Sequence, residues 1–121
     1  MKMNLKRNLL SATGILCLVF TMPVFAHAML EGTSPADKAV LKVSPKTIDF
    51  KFGHPTKLTN VKLISASQEK YLPVNFSAPN STTFSVPLPD LIPGSYKVNW
   101  GSLSGDGHAV TGNFTFTISG H

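Results

Sequence analysis

The sequence predicts an all-β fold, a sandwich or barrel. Three observations carry this. Apolar and polar residues alternate over several short runs rich in β-branched and aromatic side chains. Clusters of Gly, Pro, Asn, Asp and Ser separate those runs. Beyond the N-terminal leader, no stretch keeps a helical period for ten or more residues.

The chain opens with a segment that reads as an export signal, residues 1–26. Lys2, Lys6 and Arg7 form a positive start, Leu9 to Phe20 an apolar centre, and "TMPVFA" a short processing region. Ser11, Thr13, Gly14 and Pro23 interrupt the apolar run, which makes it a poor membrane span. The domain proper is expected to be residues 27–121.

Within it, "TIDFKF" (47–52) places Ile48, Phe50 and Phe52 on one face, with Asp49 and Lys51 on the other. A turn at "GHPTK" (53–57) is expected to end that strand. "NVKLIS" (60–65) comes next, then "YLPVNF" (71–76) and "TTFSVPL" (82–88). Pro73 and Pro87 lie inside these last two patterns, which marks them as edge or bulged strands. "SYKVNW" (95–100) alternates Tyr96, Val98 and Trp100 with Lys97 and Asn99. "NFTFTI" (113–118) alternates Phe114, Phe116 and Ile118 with polar residues. The remaining turns are expected at 34–38, 65–70, 77–81, 89–95 and 101–108. Tyr96 and Trp100 share a face and belong in the core.

Removing the leader changes the charge. The whole chain carries +5, but the domain keeps eight lysines, no arginine and six acidic residues, a net +2. Scattered lysines without arginine are not a nucleic-acid footprint. The single cysteine, Cys17, lies in the leader, so no disulfide supports the domain even in an oxidising compartment. The mature form is expected to be a monomer.

Four histidines are present: His27, His54, His108 and His121. Cleavage after Ala26 leaves small residues at the processing positions and makes His27 the new N-terminus. A free α-amine loses its proton near neutral pH when a metal competes for it. That amine and the same residue's imidazole Nδ1 can chelate one ion, which suits tetragonal Cu(II) or Ni(II). "AHA" (26–28) is a rival processing site that would release Met29 instead and discard His27.

"SGDGHAV" (104–110) supplies the second set. If extended, Asp106 and His108 project to the same side as an N/O half-site. Asp106 could equally orient His108. The local sequence alone favours a plain hairpin turn, because Asp-Gly is a strong turn signal. His27, Asp106 and His108 together would offer three nitrogens and one oxygen, a set that favours Cu(II).

"HAMLEGTSPADKAVL", "IDFKF" and "YKVNWGSLSGDGHAVTGNFTFTI" resemble the CopC family of periplasmic copper-binding proteins across the whole domain. The most specific parts, taken together in this order and spacing, are a histidine exposed by signal cleavage, the "SP" followed by small residues, and S-x-D-G-H-x-x-x-G-x-F-x-F near the end. The resemblance implies a Greek-key β-sandwich or barrel, immunoglobulin-like or cupredoxin-like. It implies one Cu(II) per chain, held by His27, Asp106 and His108, and cleavage before His27. It also implies a role in copper homeostasis or resistance, a periplasmic location, and an inner-membrane CopD-type copper transporter as partner.

Two departures stand out. Some members add a methionine-rich Cu(I) site, but the domain holds only Met29, so no such site is expected. His54 stands where relatives often have a glutamate before proline, as an extra candidate ligand, an orienting partner or a plain loop residue. His121 ends the chain and is expected to be a bystander. The resemblance points to a binding protein and not an enzyme. The alternatives are a histidine-brace copper monooxygenase and a metal-free immunoglobulin-like interaction module.

Overall fold

The structure, a computed structural model, describes residues 30–120. The leader, His27, Met29 and His121 lie outside them. Seven strands follow in order: β1 (Leu30–Ser34), β2 (Ala39–Leu41), β3 (Thr47–Ile64), β4 (Glu69–Tyr71), β5 (Ser81–Pro87), β6 (Gly94–Ser104) and β7 (Ala109–Ile118). No helix occurs among the described residues. The all-β class read from the alternation is the observed one.

β3 is the spine. Its first half has β1 on one edge and β5 on the other, so that Asp49 faces both Ser34 and Ser85. Its second half has β6 and β4, so that Lys62 faces both Asn99 and Tyr71. Thr56 faces Ser81 of β5 and Ser104 of β6 at once. One edge of β3 therefore exchanges β1 for β6, and the other exchanges β5 for β4. β7 pairs antiparallel with β6 along its length, and β2 adds in parallel beside Phe116–Ile118. The two halves of β3 thus belong to two layers that fold over one another.

The core fills the space between them. Phe50 and Phe52 from the first half of β3 meet Trp100 edge-on, at centroid distances of 6.3 and 5.6 Å. Phe114 of β7 meets Phe50 in the same way. Ile48, Leu58, Val61, Leu63, Leu72, Val86, Val98, Phe116 and Ile118 are buried with them. Tyr96 is buried too, and its hydroxyl donates to the Ile92 carbonyl at 2.6 Å. Tyr96 and Trp100 lie in the core as their shared strand face predicts.

Four sequence expectations change. The turn at residues 53–57 does not form, because β3 runs straight through it. Among the described residues no strand pairs with residues 53–55, and Pro55, which has no amide proton to give, falls where β3 changes partners. The run 71–76 is a strand only at Tyr71. Pro73 cannot donate, and Asn75 Oδ1 accepts from the Ser77 amide to start a turn. β1 and β2 escaped the alternation pattern because they have only five and three residues. β6 continues to Ser104, so the last turn is shorter than the 101–108 expected. Pro87 does end an edge strand, since β5 pairs only with β3.

Candidate metal centre

Three polar side chains are buried among the described residues: Thr56, Ser102 and Ser104. All three lie at the end of the sandwich where β6 turns into β7. The Thr56 hydroxyl donates to the Leu103 carbonyl at 2.8 Å, tying β3 to β6 just below the turn. The Ser102 hydroxyl reaches the Val110 carbonyl at 3.5 Å. These contacts give the turn a firm base.

The turn itself closes with two backbone bonds. The Ser104 amide donates to the His108 carbonyl, and the Gly107 amide to the Ser104 carbonyl, both at 2.9 Å. Gly107 has φ of 91°, a conformation that glycine adopts without a steric penalty. Asp-Gly thus makes the tight turn that local chemistry favours.

Asp106 and His108 are brought together by that turn and not by an extended strand. His108 Nδ1 lies 3.0 Å from Asp106 Oδ1. The same oxygen accepts from the Ser104 hydroxyl and, at 3.3 Å, from the His108 amide. These donors hold the Asp106 carboxyl well below the usual carboxylate range, the Ser104 hydroxyl contributing most, then the His108 side chain and amide. Asp106 is therefore ionised at neutral pH. Both side chains are well exposed, His108 by 78% and Asp106 by 50%, so an ion in solution can reach them.

His54, on β3, lines a shallow hollow with Pro55, Asn80, Ser104, Gly105 and Asp106. Lys57 ties down the loop just before Asn80, because its Nζ donates to the carbonyls of Phe76 and Ala78 at 2.8 and 3.0 Å. His54 lies on β3 and lines the same hollow as Asp106. No cluster of three or more His, Cys, Asp or Glu side chains is placed to hold a metal among the described residues. Among the described residues, Asp106 and His108 form an exposed carboxylate–imidazole pair, and His54 lines the hollow beside Asp106.

The sequence pattern picked out Asp106 and His108 and gave Ser104 no role. Its signal was its place in S-x-D-G-H, two before the aspartate and four before the histidine.

Known proteins resemble this chain in sequence and in fold. A family model described as the CopC domain matches residues 30–119. Protein YobA of Escherichia coli strain K12 is 35% identical, the match covering 93% of this chain and 95% of YobA. Copper resistance protein C of Escherichia coli is 32% identical, over 88% of this chain and 92% of its own. The crystal structure of CopC from Methylosinus trichosporium OB3b superposes with a TM-score of 0.65 at 27% identity, covering 78% of this chain and 96% of that one. With the family model spanning every strand, and a copper resistance protein matched nearly end to end, the chain belongs to the CopC family.

Proposed function

We propose that this protein is an exported, periplasmic Cu(II)-binding protein that holds one copper ion for buffering or delivery. Its ligands are the α-amine and imidazole of His27, the carboxylate of Asp106 and the imidazole of His108. The observation that carries the reading is the Asp106–His108 pair, exposed and fixed by a braced turn, with the Asp106 carboxylate ionised. Nitrogen and carboxylate donors of this kind suit Cu(II), and the domain offers no thioether cluster for Cu(I).

The direction of β1 supports the part assigned to His27. β1 is antiparallel to β3, with Leu30 opposite Phe52. The N-terminal end of β1 therefore lies at the end of this register next to Gly53 and His54, and His54 lines the hollow that Asp106 shares. His54 would then stand beside the ion as an ancillary donor or an orienting group.

Copper is cargo in this reading. The protein residues bind and orient it, and the exposed pair leaves it open for transfer to a membrane copper transporter of the CopD type. A native mass spectrum of the protein purified from its exported compartment, with Cu(II) added one to one, tests the proposal. A chain beginning at His27 and carrying one copper is expected. A chain beginning at Met29, or one that stays metal-free, would refute it.

A further inference from the structure

We propose that the open edge of β7, residues 109–113, is the docking surface for the protein that takes up the copper: an extended segment of a membrane copper transporter adds to the sheet there, backbone to backbone. The inference rests on the reading of copper as cargo delivered to such a transporter, and it names where that partner sits.

The edge follows from the alternation of an antiparallel ladder. Every second residue turns its N–H and C=O to one neighbour, and the residues between turn theirs the other way. The Ser104 amide donates to the His108 carbonyl at 2.9 Å, so His108, Val110, Gly112 and Phe114 turn toward β6. On the other side the Thr115 carbonyl accepts the Lys38 amide at 2.6 Å, and the Thr115 amide donates to Asp37 Oδ1 at 3.0 Å. β2 then lies beside Phe116–Ile118. Ala109, Thr111 and Asn113 face the same way as Thr115, yet among the described residues no strand runs beside them. Their amides and carbonyls form a row of donors and acceptors open to pairing.

Edge strands are ordinarily protected by charge, proline, a bulge or brevity. β1 carries Glu31 and a register shift between Leu30 and Gly32, β2 and β4 have three residues each, and β5 ends on Pro87. The run from Ala109 to Asn113 has no charge and no proline, and its ladder with β6 has no shift. Ala109, Thr111 and Asn113 are exposed and short. The indole of Trp100 backs the run from inside, against Gly112. The edge is therefore neutral, in register and firmly supported, as strand addition requires.

Its place decides the occupant. Copper passes between proteins by ligand exchange, so the acceptor's ligand must reach the ion while His108 still holds it. The open edge starts at the residue after His108. A strand added to β7 lies about 4.8 Å from it. One that runs along residues 109–113 passes beside His108 and brings the side chain at its end toward the metal. A second copy paired about a twofold axis through Thr111 would set its own His108 opposite Phe114, at the far end of the run, where no copper is exchanged.

The test mixes the copper-loaded mature protein with a CopD-type transporter in lipid nanodiscs and reads binding, copper transfer and quenched amide exchange. The amides of Ala109, Thr111 and Asn113 should exchange about 10-fold more slowly in the complex, while Val110 and Gly112, already bonded to β6, change little. Thr111→Pro removes an edge donor that β6 does not use, and should weaken binding about 10-fold and slow transfer with it. Thr111→Val keeps the amide and the branched shape, and should behave as wild type. Emission of Trp100, the only tryptophan, reports whether each variant is folded; if Thr111→Pro is not, the exchange pattern decides alone. Wild-type binding and transfer without alternate-residue protection overturns the docking and leaves delivery to the transporter standing. An equal loss in Thr111→Val does the same, because it assigns the contact to the hydroxyl. Edge protection that grows with protein concentration when no transporter is present overturns it in favour of a second copy. Neither binding nor transfer by the wild type overturns both.

Discussion

Trp100 lies directly opposite Gly112 in the β6–β7 ladder, and its indole occupies the space that a side chain at Gly112 would need. A Cβ added there would sit 2.6 Å from Trp100 Cζ2. Phe50 and Phe52 pack against the same indole and leave it no room to retreat. Gly112→Ala is therefore expected to destabilise the fold by about 1–3 kcal/mol through overpacking. Urea denaturation checks this, and a change within experimental error would mean that the ring can shift freely.

Thr56 tests the base of the turn. It is fully buried, and its hydroxyl satisfies the Leu103 carbonyl. Thr56→Val keeps the shape and removes the donor, at an expected cost of about 1–3 kcal/mol for the orphaned acceptor. Amide exchange at Leu103 and Ser104 should speed up more than exchange at the far end of β6. Uniform acceleration along the strand would contradict the local role.

Lys57 tests the loop before Asn80. Lys57→Met keeps most of the aliphatic stem but drops the two bonds to Phe76 and Ala78. Residues 75–80 should then be cleaved several-fold faster in limited proteolysis, with the global melting temperature almost unmoved. Cleavage at the wild-type rate would show that the loop holds itself.

Asp106 makes the metal-free fold sensitive to acid in a defined direction. Its folded pKa is depressed, chiefly by the Ser104 hydroxyl. The stability it contributes is therefore present above the ordinary carboxylate value of about 3.9 and is lost as pH falls through the lower folded value. Asp106→Asn should melt below wild type at neutral pH, and the gap should close as the solution becomes strongly acidic. A gap independent of pH would contradict this assignment.

Copper should stabilise the folded protein. At a free concentration a thousand times its dissociation constant, the expected gain is about 4 kcal/mol. Adding a chelator should return the melting temperature to the metal-free value. The same shift in a chain lacking His27 would remove that residue from the ligand set.

Much of the core was legible because alternation is a local signal. Ile48, Phe50, Phe52, Val98, Trp100, Phe114 and Phe116 are buried where the period of two puts them. The continuity of β3 was not legible. Gly53, His54 and Pro55 have the chemistry of a turn, yet they occupy the stretch where one strand trades partners, a fact set by distant residues. The loop after Tyr71 was misread because Leu72 and Val74 extend the apolar pattern although Pro73 and Asn75 end the pairing. At the site, Asp106 and His108 could be found by spacing. Ser104 could not be given its part, since only the closed turn shows where its one proton goes.

The double membership of β3 bears on how the chain must fold. Leu58 pairs with Ser102, far downstream, while Asp49 on the same strand pairs with Ser34. β1, the first half of β3 and β5 can pair without β6, but their apolar face stays uncovered until β6 and β7 arrive. Such non-local pairing is slow, on the order of milliseconds to seconds. Until then Val61 and Leu63 face water on a strand with open edges, a target for holding factors in whichever compartment receives the chain.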